Sequence, residues 1–291
     1  MTDWITIRSD QLAARISPFG AELSSLTDAA GRELMTDADP AFWTGRAPLL
    51  FPVVGALSGE TIRVEGRALP MPRHGFARRS SFEVVATAPD RAAFALTDSE
   101  ASRALYPFAF RLEVAFSLDG ATLTTDVVVH NLADTPLPAS FGFHPAFAWP
   151  LPYGAPREAH RIRFERDEPG PLRRLAADGT VLPDPRPSPV EGRTLALADA
   201  LFEADALIWS PVASQSLTYG PSAGPHLRIA FPDTPSLGVW TKPGARFLCI
   251  EPWHGLADPQ GYTGEFRDKP GVFTVPPGGA KRIGMSVTLV A

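Results

Sequence analysis

Apolar and polar residues alternate along much of the chain. From Phe110 to Leu118 the sequence Phe-Arg-Leu-Glu-Val-Ala-Phe-Ser-Leu puts an apolar side chain at every second position. Side chains of a strand point alternately to its two faces, so such a segment buries one face and wets the other. Asp119-Gly120 then supplies a tight turn, because Gly tolerates positive φ, and residues 123–129 read as the return strand. The same reading places strands at 4–8, 11–16, 82–86, 93–97, 161–164, 206–209, 216–219, 227–231, 246–250 and 283–290. Pro89-Asp90, Asp178-Gly179, Pro243-Gly244 and Pro277-Gly278-Gly279 punctuate them. No helical stripe runs beyond about three turns, and 31 Pro and 24 Gly disfavour long helices. The pattern predicts an all-β chain, a sandwich or barrel of mainly antiparallel strands, with less than about a tenth of its residues in α-helix.

Composition narrows this. With 291 residues, 44% of them apolar, the chain can bury a sizeable core. Residues 150–189 are rich in Pro, Arg and Gly and read as a linker or a long loop. Strand-like segments look alike on both sides, so we expect a loop and one domain over residues 1–291. The net charge of −5 excludes a nucleic-acid partner, which needs a dominant basic surface. The longest apolar run, Ala47 to Leu57, is broken by Pro48, Pro52 and Gly55 and is too short to span a membrane. Cys249 is the sole cysteine, which fits a reducing compartment. Met1-Thr2-Asp3-Trp4 lacks the basic start of a signal peptide. The expectation is a cytoplasmic protein, monomer or homodimer, with no membrane partner.

Candidate chemistry concentrates in three segments. In Pro72-Arg73-His74-Gly75-Phe76-Ala77-Arg78, a His and an Arg four apart flank a Gly that allows close backbone approach. The segment reads as a site for an oxygen-rich ligand or as a basic surface loop. In Phe141-Gly142-Phe143-His144-Pro145-Ala146-Phe147-Ala148-Trp149, a His sits among four aromatic side chains. It reads as a partly desolvated titrating group beside sugar-stacking rings, or as a core histidine bonded to a carbonyl. In Cys249-Ile250-Glu251-Pro252-Trp253-His254-Gly255, Glu251 closes a strand-like run. It is a base at a site mouth or a structurally paired carboxylate. Trp240 reads as core rather than as a ligand platform.

Several chemistries lack their signatures. No two histidines stand at i, i+2 or i, i+4 and there is no Cys pair, so spacing shows no zinc site. There is no Gly-rich phosphate loop and no Gly-x-Ser-x-Gly elbow. What is left is an acid/base set of His and Glu with aromatics and Arg, requiring no cofactor and no metal.

At these residues the sequence resembles the galactose mutarotase-like superfamily, in its aldose 1-epimerase branch, through most of the chain. Residues 20–26 (Gly-Ala-Glu-Leu-Ser-Ser-Leu) look like the family's first hairpin. Residues 43–55 look like the segment that carries its substrate-binding Arg. His74 to Arg78, Phe141 to Phe147, and Glu251-Pro252-Trp253 look like its two histidine motifs and its glutamate motif. Phe143 stands where typical galactose mutarotases carry Asn, and the Arg46–Pro52 stretch is shorter than theirs. The resemblance is closer to the lactose-operon-protein-like subgroup. It implies a large antiparallel β-supersandwich acting on a small-molecule sugar. It implies His144 as general acid at the ring oxygen and Glu251 as general base at the anomeric hydroxyl. Arg46, His74, Arg78, Asp205 and Trp253 would then contact the sugar.

Mutarotation needs one group to take the anomeric proton while another protonates the ring oxygen, with the roles reversed on closure. Rival readings stay open. A glycoside hydrolase would need a second carboxylate beside Glu251, from Asp205, Asp233 or Asp258. A hexose-6-phosphate 1-epimerase would grip phosphate with Arg46, Arg73 and Arg78. A non-catalytic carbohydrate-binding sandwich would use the same aromatics and Arg.

Overall fold

The structure is a computed structural model that describes residues 4–291, so Met1 to Asp3, read above for a leader, lie outside the described residues. Two large sheets dominate it. The first has nine strands in the spatial order Thr194–Ala196, His160–Phe164, Ser216–Pro221, His226–Ala230, Ala280–Val290, Thr122–Asn131, Phe110–Asp119, Arg91–Thr97 and Glu83–Ala88. The second runs Leu172–Arg173, Leu207–Trp209, Ser236–Trp240, Phe247–His254, Phe141–Phe143 and Leu49–Leu50, with Ala146–Ala148 also paired to Phe247–His254. A three-stranded sheet of Ile5–Arg8, Leu12–Ser17 and Glu22–Asp28 and two hairpin-sized sheets complete the set. Among the described residues the strand pairings are antiparallel and the one α-helix is Glu100–Leu105. This is the antiparallel sandwich that the period-two pattern anticipates, with the large sheets that the resemblance implies.

The central hairpin follows the predicted alternation. Phe110, Leu112, Val114, Phe116 and Leu118 are buried, while Ala115 and Ser117 face solvent. Asp119 pairs with Thr122 and Gly120 takes a positive φ of 51°, as the turn signal requires. One contiguous apolar cluster extends from Ile7 to Val287 and takes in the inward faces of both large sheets. Residues 150–189 are not a linker. They contribute His160–Phe164 to the nine-stranded sheet and Leu172–Arg173 to the seven-stranded one, and so run from one layer to the other.

The sequence-based strand at 246–250 is too short. The observed strand, Phe247–His254, continues through Glu251 and Pro252. Pro252 falls opposite Phe143, where the pairing to the neighbouring short strands is interrupted. Leu248 and Ile250 turn into the main core, whereas Cys249, Glu251 and Trp253 share the opposite face. That outer face of the seven-stranded sheet carries the candidate site.

Candidate active site

Strand Phe247–His254 is paired on one edge by two short strands in succession. Gly142 lies opposite Trp253, and Ala146 lies opposite Cys249. The register is the same before and after the gap at residues 144 and 145, and the Ile250 amide donates to the Pro145 carbonyl at 3.1 Å within it. His144 therefore stands directly across from Glu251. Cross-strand neighbours on one face bring their side chains together, and Nε2 of His144 lies 3.1 Å from Oε2 of Glu251. On the other edge Gly238 is opposite Glu251. The Trp253 indole covers both flanking glycines. A Cβ on Gly142 or Gly238 would come within 2.5 or 2.6 Å of that ring.

The pair forms the floor of an open cleft of about 500 Å³, whose lining includes Trp43, Trp240 and Trp253 as well as Arg73, His74, Arg78, Glu203, Asp205 and Lys242. Trp43 lies 4.9 Å from the His144 ring centroid, and Trp240 lies edge-on to it at 6.1 Å. His74 is also edge-on to His144 at 5.8 Å. Its Nδ1 accepts from the Gly55 amide at 3.1 Å, and its own amide donates to the Gly55 carbonyl at 2.9 Å. Neutral His74 therefore carries its proton on Nε2, as a donor. Its φ of 67° is unusual for a non-glycine residue. The neighbouring Gly75 is required: a Cβ there would sit 2.1 Å from the Phe51 carbonyl oxygen.

Burial governs the electrostatics. It pushes the His144 imidazole down to about 3, with Arg78 and Arg73 adding to the effect against a backbone hydrogen bond that opposes it. It holds the Glu251 carboxyl well above the usual carboxylate range, opposed by Arg73 and reinforced by Asp205. His74 is held well below the ordinary imidazole value by burial first, then by His144, Arg73 and Arg78. Burial thus shifts both members of the central pair towards their uncharged forms.

Of the residues singled out in the sequence, the structure brings His144, Glu251, His74, Arg78, Asp205 and Trp253 to this cleft. Asp205 has a φ of 68°, and Arg174 fixes its loop by donating to the carbonyls of Ala204, Asp205 and Ala206 at 3.2–3.3 Å. Arg46 does not line the cleft. Its backbone is held by Glu22, and its guanidinium donates to the Thr36 carbonyl at 2.9 Å. Arg73 lines the cleft together with Arg78. Trp240, read as core, packs against Phe247 and lines the cleft as well, because its strand edge opens towards His144. Trp43 and Lys242 went unassigned. An aromatic near a Gly-Arg pair is a weak signal, and Lys242 had none. Asp258 and Asp233 lie elsewhere. Asp258 pairs with Lys269 at 3.0 Å, and Asp233 accepts from the Gly284 amide. His130, His160, His226 and His254 also lie outside the cleft lining.

Solved structures share this fold along its whole length. A galactose mutarotase-like protein from Lactobacillus casei superposes with a TM-score of 0.90 at 28% identity, over 99% of this chain and 100% of that one. A galactose mutarotase related enzyme from Lactobacillus acidophilus gives 0.89 at 29% identity, over 99% and 97%. The architecture is thus that of the galactose mutarotase-like proteins. The family model described as aldose 1-epimerase matches residues 3–261, and the chain belongs to that family. Protein LacX (plasmid form) of Lactococcus lactis subsp. lactis is 28% identical over 98% of this chain and 99% of its own length, in line with the subgroup resemblance. No helix among the described residues is long and apolar enough to cross a membrane.

Proposed function

We propose that the protein is an aldose 1-epimerase that interconverts the α- and β-anomers of a free aldose. The observation that carries this is the His144–Glu251 pair, 3.1 Å apart and buried at the floor of an aromatic cleft. A cyclic aldose carries its ring oxygen and its anomeric hydroxyl on one carbon. Two adjacent proton-handling groups match those two oxygens.

The pair holds one proton between two sites. When a sugar enters, that proton moves to His144 and leaves Glu251 ionised, stabilised by Arg73. Glu251 takes the proton of the anomeric hydroxyl as His144 gives its proton to the ring oxygen. The bond between the anomeric carbon and the ring oxygen breaks, and the hydroxyl oxygen becomes the aldehyde carbonyl. Rotation about the C1–C2 bond presents the other carbonyl face. Closure returns each proton to its donor, and no net proton is consumed. His74, Arg73, Arg78 and Asp205 contact hydroxyls, and the tryptophans provide stacking surfaces. The chemistry needs no cofactor.

A second reading has its own support. Arg73, Arg78 and Lys242 give the cleft three cations, which favours a phosphorylated aldose over a neutral one. Polarimetry of fresh α-anomers of hexoses, pentoses and their 6-phosphates tests both readings. Faster anomer exchange with free sugars supports the first, and a preference for phosphates above tenfold in kcat/KM supports the second (about 1.4 kcal/mol). Tight sugar binding with no acceleration for any sugar would leave a carbohydrate-binding protein. Release of sugar from an aryl glycoside would point to a hydrolase built on Glu251 and Asp205.

A further inference from the structure

Cys249 precedes Glu251 by two residues on the same strand, so both side chains leave the same face of the sheet. Its ladder neighbours are Ala146 and Trp240. The sulfur atom, a ring nitrogen of His144 and a carboxylate oxygen of Glu251 all lie within 4.8 Å of one another. Anomer exchange gives the thiol no task. We infer that Cys249, His144 and Glu251 form a three-donor site for Zn2+ or a similar borderline-soft divalent cation, its fourth position open to the cleft.

The donor set and geometry carry this. Imidazole, thiolate and carboxylate are the three protein ligand types zinc takes, and sites with three protein ligands keep one position for a water or substrate oxygen. Zinc bonds of 2.0–2.3 Å in a tetrahedron separate the donors by roughly 3.3–3.7 Å. The His144–Glu251 separation of 3.1 Å needs to widen only slightly. The sulfur has to approach by about an ångström at most. A thiolate and a carboxylate together neutralise a divalent cation, so the filled site carries no net charge into a buried position. Arg73, Arg78 and Lys242 oppose a cation from farther off, whereas the two anions act in direct contact. The open cleft is the route of entry.

A metal held there occupies both His144 and Glu251. It therefore blocks anomer exchange competitively with sugar. That consequence rests on the acid/base reading above, whereas the binding itself does not.

Titration of the full chain with Co2+, followed by displacement with Zn2+, tests the site. Cys249 is the only cysteine, so a thiolate-to-cobalt charge-transfer band in the near ultraviolet can come from no other residue. The expected result is one Co2+ per chain, with that band accompanied by the visible absorption of four-coordinate cobalt, bleached by Zn2+. Cys249→Ala should lose the band and bind Co2+ more weakly, because it removes one of the three ligands. Glu251→Gln should keep the band while binding more weakly. Absence of the charge-transfer band from wild-type protein at saturating Co2+ overturns the proposal without any variant having to fold. Equal metal affinity in the wild type and in a Cys249→Ala variant of unchanged melting temperature overturns it too. A band with no Zn2+ inhibition of anomer exchange upholds the site and counts against the acid/base reading.

Discussion

His144 and Glu251 meet across an antiparallel ladder, each directly opposite the other, at the one place where the partner strand is interrupted between Phe143 and Ala146. The imidazole gains its freedom from the interruption and its aim from the unbroken register. Neither residue lies on a mobile tip, and both are buried, with side-chain exposures of 11% and 3%.

Glu251→Gln should abolish catalysed exchange while preserving the fold. Gln keeps the shape and a carbonyl acceptor but cannot take a proton at neutral pH. The expected loss is about 10²–10⁴ in rate, roughly 3–5 kcal/mol of barrier. His144→Ala should lose a similar amount, and the double variant far less than the product of the two, because both act on one step. Melting temperature and polarimetric rate are to be measured on the same sample. A folded Glu251→Gln variant with near-normal exchange would remove Glu251 from the mechanism.

The pH–rate profile of kcat/KM should be a broad plateau. The working pair carries one proton, so the acid limb marks the uptake of a second and the alkaline limb the loss of the first. These limbs belong to the pair, not to either residue. Burial lowers His144 to about 3 and raises Glu251 above its usual range. The acid limb should therefore fall well below the ordinary imidazole value of 6.5, and the alkaline limb above the ordinary carboxylate value of 4.5. Polarimetric initial rates from acid to mildly alkaline pH check this, and an acid limb centred near 6.5 would contradict it.

The same depression of His144 has a stability consequence. Between about 3 and 6.5 the unfolded chain binds a proton at this residue that the folded chain does not. Its contribution is fully present above 6.5 and is lost as pH falls towards 3. Urea titrations at pH 7 and 4.5 should show a smaller loss in His144→Ala than in the wild type.

Lys269→Met should be severely destabilising although it is remote from the cleft. Lys269 and Asp258 lie 3.0 Å apart with side-chain exposures of 1% and 5%. Asp258 also accepts from the Ser58 amide. Removing the ammonium strands a buried carboxylate, at a cost of about 3–5 kcal/mol. The midpoint of urea unfolding reads this directly, and a shift equivalent to under 1 kcal/mol would show that the pair is solvated.

Prolonged EDTA treatment should leave exchange unchanged or raise it, because the metal inferred at Cys249 blocks the acid/base pair and takes no part in exchange. Activity lost to EDTA and restored by added metal would contradict that order of roles.

The strands most readable in the sequence were those with one dry and one wet face. Residues 110–118 alternate strictly, and their burial follows suit. Strands buried on both faces, such as Ser236–Trp240 and Phe141–Phe143, carry no period-two signal and were not placed. The site was legible where a motif named its own residue, as with His144, Glu251 and His74. It was illegible where the side chain's route decided the matter. Arg46 and Arg73 are equally good arginines in sequence, and the hold of Glu22 and of the Thr36 carbonyl draws one of them away. The three donors around Cys249 could not be read from spacing either, since His144 lies more than a hundred residues upstream.

Arg73, Asp205 and Lys242 stand on turns and strand ends around the mouth, whereas Glu251 stands within a strand and His144 in the short break of its partner strand, held in the same register. Inserting one residue beside Glu251 in Phe247–His254 would turn its carboxyl towards the core, because a one-step slip reverses every side chain on a strand. The floor can therefore not drift gradually. The mouth can lengthen, shorten or change charge without altering that register. On the proposed reading, sugar preference can change at the rim while the proton chemistry beneath stays fixed, so substitutions that alter the substrate belong in the rim.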